Sequence, residues 1–439
     1  MTQLSPAPLA RAATRWSMGH ALPGTLLRRA ARQGDVHGRM FLATQQGEMA
    51  VLQPVLDELR THGPFYRGRY AMVSVDNAAV SALLSHPEVA SAFAAGGEGS
   101  RAARLQAWSL ADAPIGPLTP PSLLVTEPPD HTRYRKLVSR VFSVRAVERL
   151  RGRTQQIADE LLDRIDPSSP ADIVAAYCSL LPVTVIAEVL GVPEAEREKV
   201  LRFGAAAAPS LDLGLSWREF RRVETALRDF DHWLEQHLAD LRRNPADNLL
   251  SQLVAAQEDG IGLTDAEVKS TAGLVLAAGF ETTVNLLGNG IALLAADPAQ
   301  RRLLAERAEL WPNAVDEVLR VDPPVLLTGR MAMADIEVAG VPVPRGTVMV
   351  AMLAGANRDP KVFVDPERFD VTRENARDHV SFSAGRHYCL GAALARMEGE
   401  VGLRTLFERY PDLRVEPGGV RRGTRILRGY ERLPVTLRP

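Results

Sequence analysis

The sequence predicts a mainly α-helical fold with a small β portion. Apolar residues recur with helical spacing from Glu48 to Leu319, whereas residues 324–353 alternate and are rich in valine, which is typical of short strands. Hydrophobic residues make up 46% of the 439 residues and charged residues 24%. These proportions are those of an ordinary globular protein and exclude a disordered or fibrous chain.

The N-terminal residues are expected to stand apart from this fold. They are rich in Arg and Ala and lack the apolar core of a secretory signal, so we expect residues 1–44 to be a flexible extension. Neither an internal repeat nor a low-complexity linker interrupts the rest of the chain. Residues 45–439 are therefore expected to form a single domain.

The first elements of this domain follow from local patterns. Residues 47–63 are amphipathic, and residues 64–76 carry the aromatic and β-branched residues of a strand. A long loop is expected over residues 90–126, where glycines and prolines cluster. Long helices are then expected over residues 143–165 and 216–243.

A very long helix is expected to cross the domain. Thr264 and Glu267 have the spacing of a capping box, and no proline follows until Pro298, so the helix can run about 32 residues, or about 48 Å. It contains the longest apolar stretch, residues 271–296, with Glu281 near the middle. A charge at the centre of a lone membrane span costs at least about 2.5 kcal/mol. We therefore expect a buried helix in a cytoplasmic protein, with no membrane span.

The charge balance and the cysteine count exclude several classes of protein. Lys and Arg number 52 and Asp and Glu number 53, which gives a formal net charge of −1. A balanced chain has no global electrostatic footprint for nucleic acid or an anionic membrane. The two cysteines, Cys178 and Cys389, are too few for a disulfide framework and indicate a reducing compartment.

The segment around Cys389 carries the most chemical information. Cys389 is expected in a loop just before a helix that starts near Gly391, where backbone N–H groups and the helix dipole favour a thiolate. Gly385 permits the positive φ of a tight turn, and Gly391 lets a flat group approach the backbone. Phe382 can cover the sulfur. Such a shielded thiolate suits a soft metal or a haem iron.

Three other interpretations of Cys389 stay open on this evidence. A zinc site needs more ligands than the nearby pair of His387 and Cys389. A nucleophilic cysteine needs a base, and no local signature of one is present. A buried cysteine that acts as a small hydrophobic residue is the simplest alternative, and this is the interpretation we favour for Cys178.

Five segments of the chain form one pattern. Phe382, Gly385, Cys389 and Gly391 have the spacing F-x-x-G-x-x-x-C-x-G. They resemble the haem-binding signature of the cytochromes P450, with one departure at Ser383, where bacterial members usually have glycine. The other matching segments occur in the order of that family and are residues 127–135, 278–283, 317–320 (E-x-x-R) and 366–369 (P-E-R-F).

The resemblance implies the triangular cytochrome P450 fold over residues 45–439, with haem b between the long central helix and the cysteine loop. Cys389 is then the thiolate ligand of the iron. The two haem propionates need cations, and His131 and Arg135 share one helix face. Arg330 and His387 match the other propionate ligands. The remaining expected haem contacts are Phe382, Gly391 and Ala278.

Glu281 and Thr282 are the expected catalytic residues. A mid-helix threonine can donate to the carbonyl four residues earlier, here Ala278, and the resulting bend opens a groove for dioxygen and water. Thr282 can then donate a hydrogen bond to dioxygen while Glu281 relays protons. The resemblance thus implies a monooxygenase that hydroxylates or epoxidises an apolar small molecule. The alternatives are a peroxide-driven haem-thiolate enzyme, which does not need this pair, and a non-catalytic haem carrier or sensor.

Electrons are expected to come from separate proteins. No glycine-rich dinucleotide fingerprint follows a predicted strand, so a ferredoxin and its reductase are implied as partners. Arg133, Lys136 and Arg140 lie on the helix face away from the propionate residues and are expected to bind an acidic ferredoxin. The sequence leaves the substrate open among steroids, terpenoids, fatty acids and macrolides.

The resemblance also implies a structural ion pair. Glu317 and Arg320 are three positions apart, so they share a helix face. In this family the pair forms a buried network with the arginine of the P-E-R-F segment, here Arg368, and supports the cysteine loop. These three residues are expected to be structural and to take no part in the chemistry.

Overall fold

The computed structural model describes residues 6–92, 101–139, 142–245, 248–255, 257–258 and 261–438. Helices dominate the chain and most strands come late, which confirms the predicted fold class. The helices are α1 (Pro6–Trp16), α2 (Leu22–Arg32), α3 (Val36–Thr44), α4 (Met49–Arg60), α5 (Asn77–Ser85), α6 (Arg101–Leu110), α7 (Asp130–Ser139), α8 (Val144–Asp163), α9 (Leu180–Val189), α10 (Arg197–Ala207), α11 (Trp217–Arg243), α12 (Leu249–Ala255), α13 (Asp265–Ala296), α14 (Pro298–Glu306), α15 (Trp311–Val321), α16 (Leu353–Ala356) and α17 (Ala392–Arg409). The strands are β1 (Tyr66–Arg67), β2 (Met72–Ser74), β3 (Val89–Ser91), β4 (Ala171–Asp172), β5 (Gln257–Glu258), β6 (Ile261–Gly262), β7 (Thr328–Ala332), β8 (Ile336–Val338), β9 (Val341–Val343), β10 (Val348–Ala351), β11 (Arg414–Val415), β12 (Val420–Arg421), β13 (Tyr430–Arg432) and β14 (Pro434–Thr436).

The longest helix, α13, begins at the predicted capping box. The Thr264 hydroxyl accepts the Glu267 N–H, and the Glu267 carboxylate accepts the Thr264 N–H. The helix then runs for 32 residues and packs against α9, α10, α11, α15 and α17. It therefore crosses the middle of the helical core, as predicted. Within the described part of the chain, no helix combines the length and apolarity that a membrane crossing requires.

The largest sheet has five strands in the order β1-β2-β10-β7-β3. Strand β10 is parallel to β2 and antiparallel to β7, and Met349 of β10 lies opposite Arg330 of β7. Residues 324–353 thus form the short strands predicted there. The apolar face of the sheet packs against α5, where Val80 and Leu83 are fully buried. This packing fixes β7, and with it the Arg330 side chain.

The N-terminal segment differs from the flexible extension predicted for residues 1–44. From residue 6 onward it forms α1, α2 and α3, with a π-helical turn at Ser17–Ala21. Leu27, Ala30 and Met40 are buried in the protein. The prediction from composition was wrong because an arginine-rich amphipathic helix needs only a few apolar residues, all on one face, to pack against the protein. Residues 1–5 lie outside the described residues.

The segment predicted as a loop, residues 90–126, is partly regular. It begins within β3 and contains α6, and turns follow from residue 111 onward. The glycines that suggested a loop, Gly96, Gly97 and Gly99, lie outside the described residues. The prolines that follow α6 account for the irregular remainder, because proline has no N–H to donate.

The E-x-x-R segment forms a fully buried ion pair. Arg320 Nε lies 2.7 Å from Glu317 Oε2, and neither side chain is exposed. The prediction that Arg368 is the third residue of this network is only partly right. Arg368 contributes its carbonyl oxygen, which accepts from Arg320 Nη2 at 2.9 Å, while its own side chain is 64% exposed. The side chain that completes the network is Arg373, whose Nε lies 3.1 Å from Glu317 Oε1.

Candidate active site

A cavity of about 800 Å³ is lined by both α13 and the cysteine segment. Nine of the ten predicted site residues reach it, and the tenth, His131, lies against His387. Much of the remaining wall is apolar, including Leu118, Ile186, Leu274 and Leu327. The nine residues are Arg135 from α7, Ala278, Glu281 and Thr282 from α13, Arg330 from β7, and Phe382, His387, Cys389 and Gly391 from the cysteine segment.

Cys389 lies at the end of a tight loop. Its N–H donates to the Phe382 carbonyl at 2.9 Å. Gly385 has φ +63°, and a Cβ there would lie 2.6 Å from the Leu84 carbonyl oxygen, so the turn requires glycine for both reasons. Gly391 precedes α17, as predicted. A Cβ on Gly391 would meet no described atom within 4 Å, so the space in front of it is open.

The electrostatics around Cys389 differ from the favoured thiolate that the sequence predicts. Burial raises the pKa of the thiol, while the Gly391 N–H and the guanidiniums of Arg135 and Arg396 lower it. The exposed part of Cys389 faces the cavity. The N–H groups at the helix start therefore do not lower the pKa of the thiol enough to offset the desolvation of the sulfur. A bound metal ion would offset it, because a thiol that coordinates a metal is deprotonated outright.

Two histidines and a glutamate lie together beside the cavity. The ring centroids of His131 and His387 are 4.7 Å apart, and His387 Nε2 lies 3.2 Å from Glu127 Oε1. Burial is the main cause that lowers the pKa of His131 to about 4, and His387 and Arg135 lower it further. Glu127 was missed as a site residue, although it opens the matched segment 127–135.

The buried guanidinium of Arg330 has uncharged partners. It donates to Thr328 Oγ1 at 2.8 Å, to the Gly329 carbonyl at 2.9 Å and to Ser383 Oγ at 3.3 Å. Burial lowers the pKa of Arg330 to about 10 and also lowers that of Arg135. The Glu127 carboxylate raises the pKa of Arg330 but accepts none of these hydrogen bonds, and a buried charge without a directly bonded counterion is costly. This part of the cavity is therefore suited to a bound anion.

Ser383, the departure from the signature, has a strained backbone. Its φ is +63°, a region that costs an L-residue roughly 1–2 kcal/mol, whereas glycine adopts it at an entropic cost of about 0.5–1 kcal/mol. Both Ser383→Gly and Ser383→Ala lose the Arg330 hydrogen bond, but only Ser383→Gly also relieves the backbone strain. We therefore expect Ser383→Ala to lower the free energy of unfolding in urea by about 1 kcal/mol and Ser383→Gly to lie above the alanine variant by up to about 1 kcal/mol, close to the wild type. A glycine variant less stable than the alanine variant would contradict this account.

Glu281 and Thr282 lie on the α13 side of the cavity. Thr282 Oγ1 donates to the Ala278 carbonyl at 3.0 Å, which is the predicted hydrogen bond. Glu281 is buried, and its Oε1 lies 2.6 Å from Nη1 of Arg422. Burial raises the pKa of Glu281, while the Arg422 guanidinium lowers it. Arg422 was missed because it comes from the C-terminal region and shares no local pattern with α13.

Comparison with known proteins identifies the family. The family model described as Cytochrome P450 matches residues 207–420. A Mycobacterium tuberculosis protein described as putative cytochrome P450 140 is 50% identical over 415 residues, which are 93% of this chain and 93% of its own. The chain belongs to the cytochrome P450 family. It is therefore an oxidoreductase of the monooxygenase type whose cofactor is haem b, as the sequence predicts.

Other cytochromes P450 agree in sequence and in fold. The 6-deoxyerythronolide B hydroxylase of Saccharopolyspora erythraea is 42% identical over 316 residues, which are 71% of this chain and 77% of its own. The crystal structure of Mycobacterium smegmatis CYP164A2 matches with a TM-score of 0.81 and 32% identity, over 91% of this chain and all of that one. The fold is thus the cytochrome P450 fold.

Proposed function

We propose that this cytochrome P450 inserts one oxygen atom of dioxygen into an apolar small molecule in the cytoplasm, by hydroxylation or epoxidation. The observation that carries the proposal is the shared cavity. Cys389 on one element and the Glu281–Thr282 pair on another line the same largely apolar space. A haem bound in this space would therefore have its metal ligand, Cys389, and the proton-handling pair, Glu281 and Thr282, in the same cavity.

The residues of the cavity fit a haem. Cys389 would hold the iron, and the open space beside Gly391 admits a flat ring. Arg135, Arg330 and His387, with His131 behind, would hold the propionates. The strongest support is Arg330, because its buried guanidinium hydrogen-bonds to uncharged groups among the described residues and a propionate would give it a directly bonded counterion. Phe382 and Ala278 would contact the ring.

The haem, when bound, supplies the redox chemistry that activates dioxygen. The chain itself supplies positioning, protons and exclusion of water. The Thr282 hydroxyl can turn from the Ala278 carbonyl toward an acceptor in the cavity, since a hydroxyl has one rotating donor. Glu281, whose pKa is raised by burial, holds a proton at a higher pH than an exposed glutamate does and can pass it on. The apolar wall keeps bulk water away from the reacting atoms.

The apolar wall favours an apolar substrate. The cavity of about 800 Å³ would hold the haem and, beside it, a substrate against this wall. The relative 6-deoxyerythronolide B hydroxylase is named for 6-deoxyerythronolide B. The test is a binding screen of the ferric protein with 6-deoxyerythronolide B, a steroid and a fatty acid. We expect at least one to shift the Soret band and to be oxidised with NADPH, a ferredoxin and its reductase. Oxidation supported by hydrogen peroxide but not by this redox system would favour the peroxide-driven enzyme, and no oxidation by either would favour a carrier.

The proposed electron donor is an acidic ferredoxin that binds near α7. Of the three predicted cations, Arg140 lies outside the described residues. Arg133 lies 2.7 Å from Glu267, the capping residue of α13, so reversing its charge would also disturb that helix start. Lys136 is exposed on α7, on the side away from His131 and Arg135.

We expect Lys136→Glu to slow reduction by the ferredoxin by about tenfold at low ionic strength and less at high, because exposed charges steer association and salt screens them. The measurement is stopped-flow reduction across a salt series. Arg202→Glu on α10, which reverses the charge at another exposed position, is the control and should leave the rate unchanged. Equal slowing in both variants would argue against docking at α7.

A further inference from the structure

The N-terminal helices contribute to the wall of the active-site cavity. We define the N-terminal cover as residues 6–32, that is α1, the π-helical turn Ser17–Ala21 and α2. Leu22, Pro23, Leu26 and Leu27 of this cover line the same cavity as Cys389 and Thr282. The charged side chains Arg28, Arg29 and Arg32 of α2 are exposed instead. The cover thus presents an apolar face to the cavity and a basic face to solvent.

A buried arginine anchors the cover to α11 and to the end of α6. Arg15 donates to Glu224 Oε1 of α11 from Nε at 2.9 Å and to Asp112 Oδ1, just after α6, at 2.7 Å. It also donates to the carbonyl of Ser109. The Arg15 side chain is 8% exposed and that of Glu224 is 5% exposed. Breaking a buried pair of this kind leaves an uncompensated charge, so the anchor holds the cover in one position.

The cover also packs on the connection between α10 and α11, residues 208–215. Trp16 Nε1 donates to the Leu215 carbonyl at 2.9 Å. Gly24 approaches this connection so closely that a Cβ on it would lie 3.1 Å from the Gly214 Cα atom. Leu211 and Leu213 of the connection line the cavity as well. The cover and the connection therefore form one continuous part of the wall.

We propose that the N-terminal cover is a specificity-determining part of the substrate site. It closes the cavity beside the α10–α11 connection and limits the size of the apolar group that binds there. The inference rests on the proposed function, because the substrate is taken to occupy this cavity. Leu26 and Leu27 are the side chains that set the limit, since they line the cavity from α2, which the π-helical turn joins to the helix that Arg15 anchors.

The first test changes the wall. The probes are imidazole, phenylimidazole and clotrimazole, azoles of increasing size whose nitrogen binds ferric haem iron, titrated by their Soret shift. We expect Leu26→Trp to weaken the largest azole that the wild-type protein binds by about tenfold, because overpacking costs about 1–3 kcal/mol, and to leave imidazole within about twofold. Leu9→Trp adds the same bulk to the exposed side of α1 and should change neither affinity.

The second test releases the anchor. We expect Arg15→Met to speed the association of the same large azole several-fold in stopped flow, with imidazole unchanged, because the cover is then less firmly held. Arg32→Met, at an exposed position of α2, is the matched control.

The outcomes are separable. An unchanged ratio of large-azole to imidazole affinity in Leu26→Trp, with an unchanged association rate in Arg15→Met, overturns the inference. If Leu26→Trp fails to incorporate haem, Leu26→Phe adds a smaller bulk and decides the same question. Failure of the proposed function shows differently, as a wild-type protein without an imidazole shift or a thiolate-type carbon monoxide spectrum.

Discussion

Replacing Cys389 with alanine is expected to abolish monooxygenase activity and to remove the red-shifted Soret band of the reduced carbon monoxide complex. The reason is chemical. A thiolate ligand donates electron density to the iron and so favours cleavage of the O–O bond. Alanine offers no ligand at this position. The measurement is the carbon monoxide difference spectrum together with the haem content of the purified protein.

The other cysteine provides a matched control. Cys178 is fully buried in the π-helical turn Val174–Cys178, and burial raises the pKa of its thiol. We expect Cys178→Ala to keep the band and the haem, and to lose only some packing free energy. A Cys389→Ala protein with an unchanged spectrum, or a Cys178→Ala protein that loses the band, would show that the ligand has been assigned to the wrong cysteine.

The features that the sequence predicts well are those determined by neighbouring residues. The capping box of Thr264 and Glu267 and the turn at Gly385 each depend on a few adjacent positions. The same holds for the hydrogen bond from Thr282 to Ala278, which spans one helical turn. Local signals of this kind fix where a helix begins or a loop turns, so the site residues could be located before their surroundings were known.

The features that the sequence misses are contacts between distant segments. Arg15 and Glu224 are 209 residues apart, and nothing in either segment marks them as a pair. The same is true of Arg422 beside Glu281 and of Arg373 beside Glu317. An arginine has a long side chain and can reach several partners, so only the packing decides which acid it meets. For this reason composition suggested a flexible N-terminal extension where the structure has an anchored cover.

Replacing Thr282 with alanine is expected to uncouple the consumption of reductant from the formation of product. Haem binding and reduction should be unaffected, because the substitution leaves Ala278 in place and the other residues proposed for them lie on other elements. Without the hydroxyl, protons are no longer delivered in the right place, and two electrons with two protons convert dioxygen to hydrogen peroxide instead. A positioned proton donor typically contributes at least about 10²-fold to a rate. We therefore expect the rate of product formation to fall by up to about 10²-fold, with a matching rise in the peroxide formed.

Glu281→Gln tests the second member of the pair. Glutamine keeps the shape of the side chain but cannot take up and release a proton in the same way, and it ends the ion pair with Arg422. We expect slower turnover, whereas Thr282→Ser, which keeps a hydroxyl, should stay close to the wild type. Thr283→Val is the matched control, since Thr283 donates to the Gly279 carbonyl at 3.3 Å and is buried. NADPH consumed, peroxide and product are measured in one assay, with a substrate identified by the binding screen. If coupling and turnover stayed at wild-type values in both Thr282→Ala and Glu281→Gln, the two residues would serve helix packing alone, because a proton route cannot lose either of its groups and keep its rate.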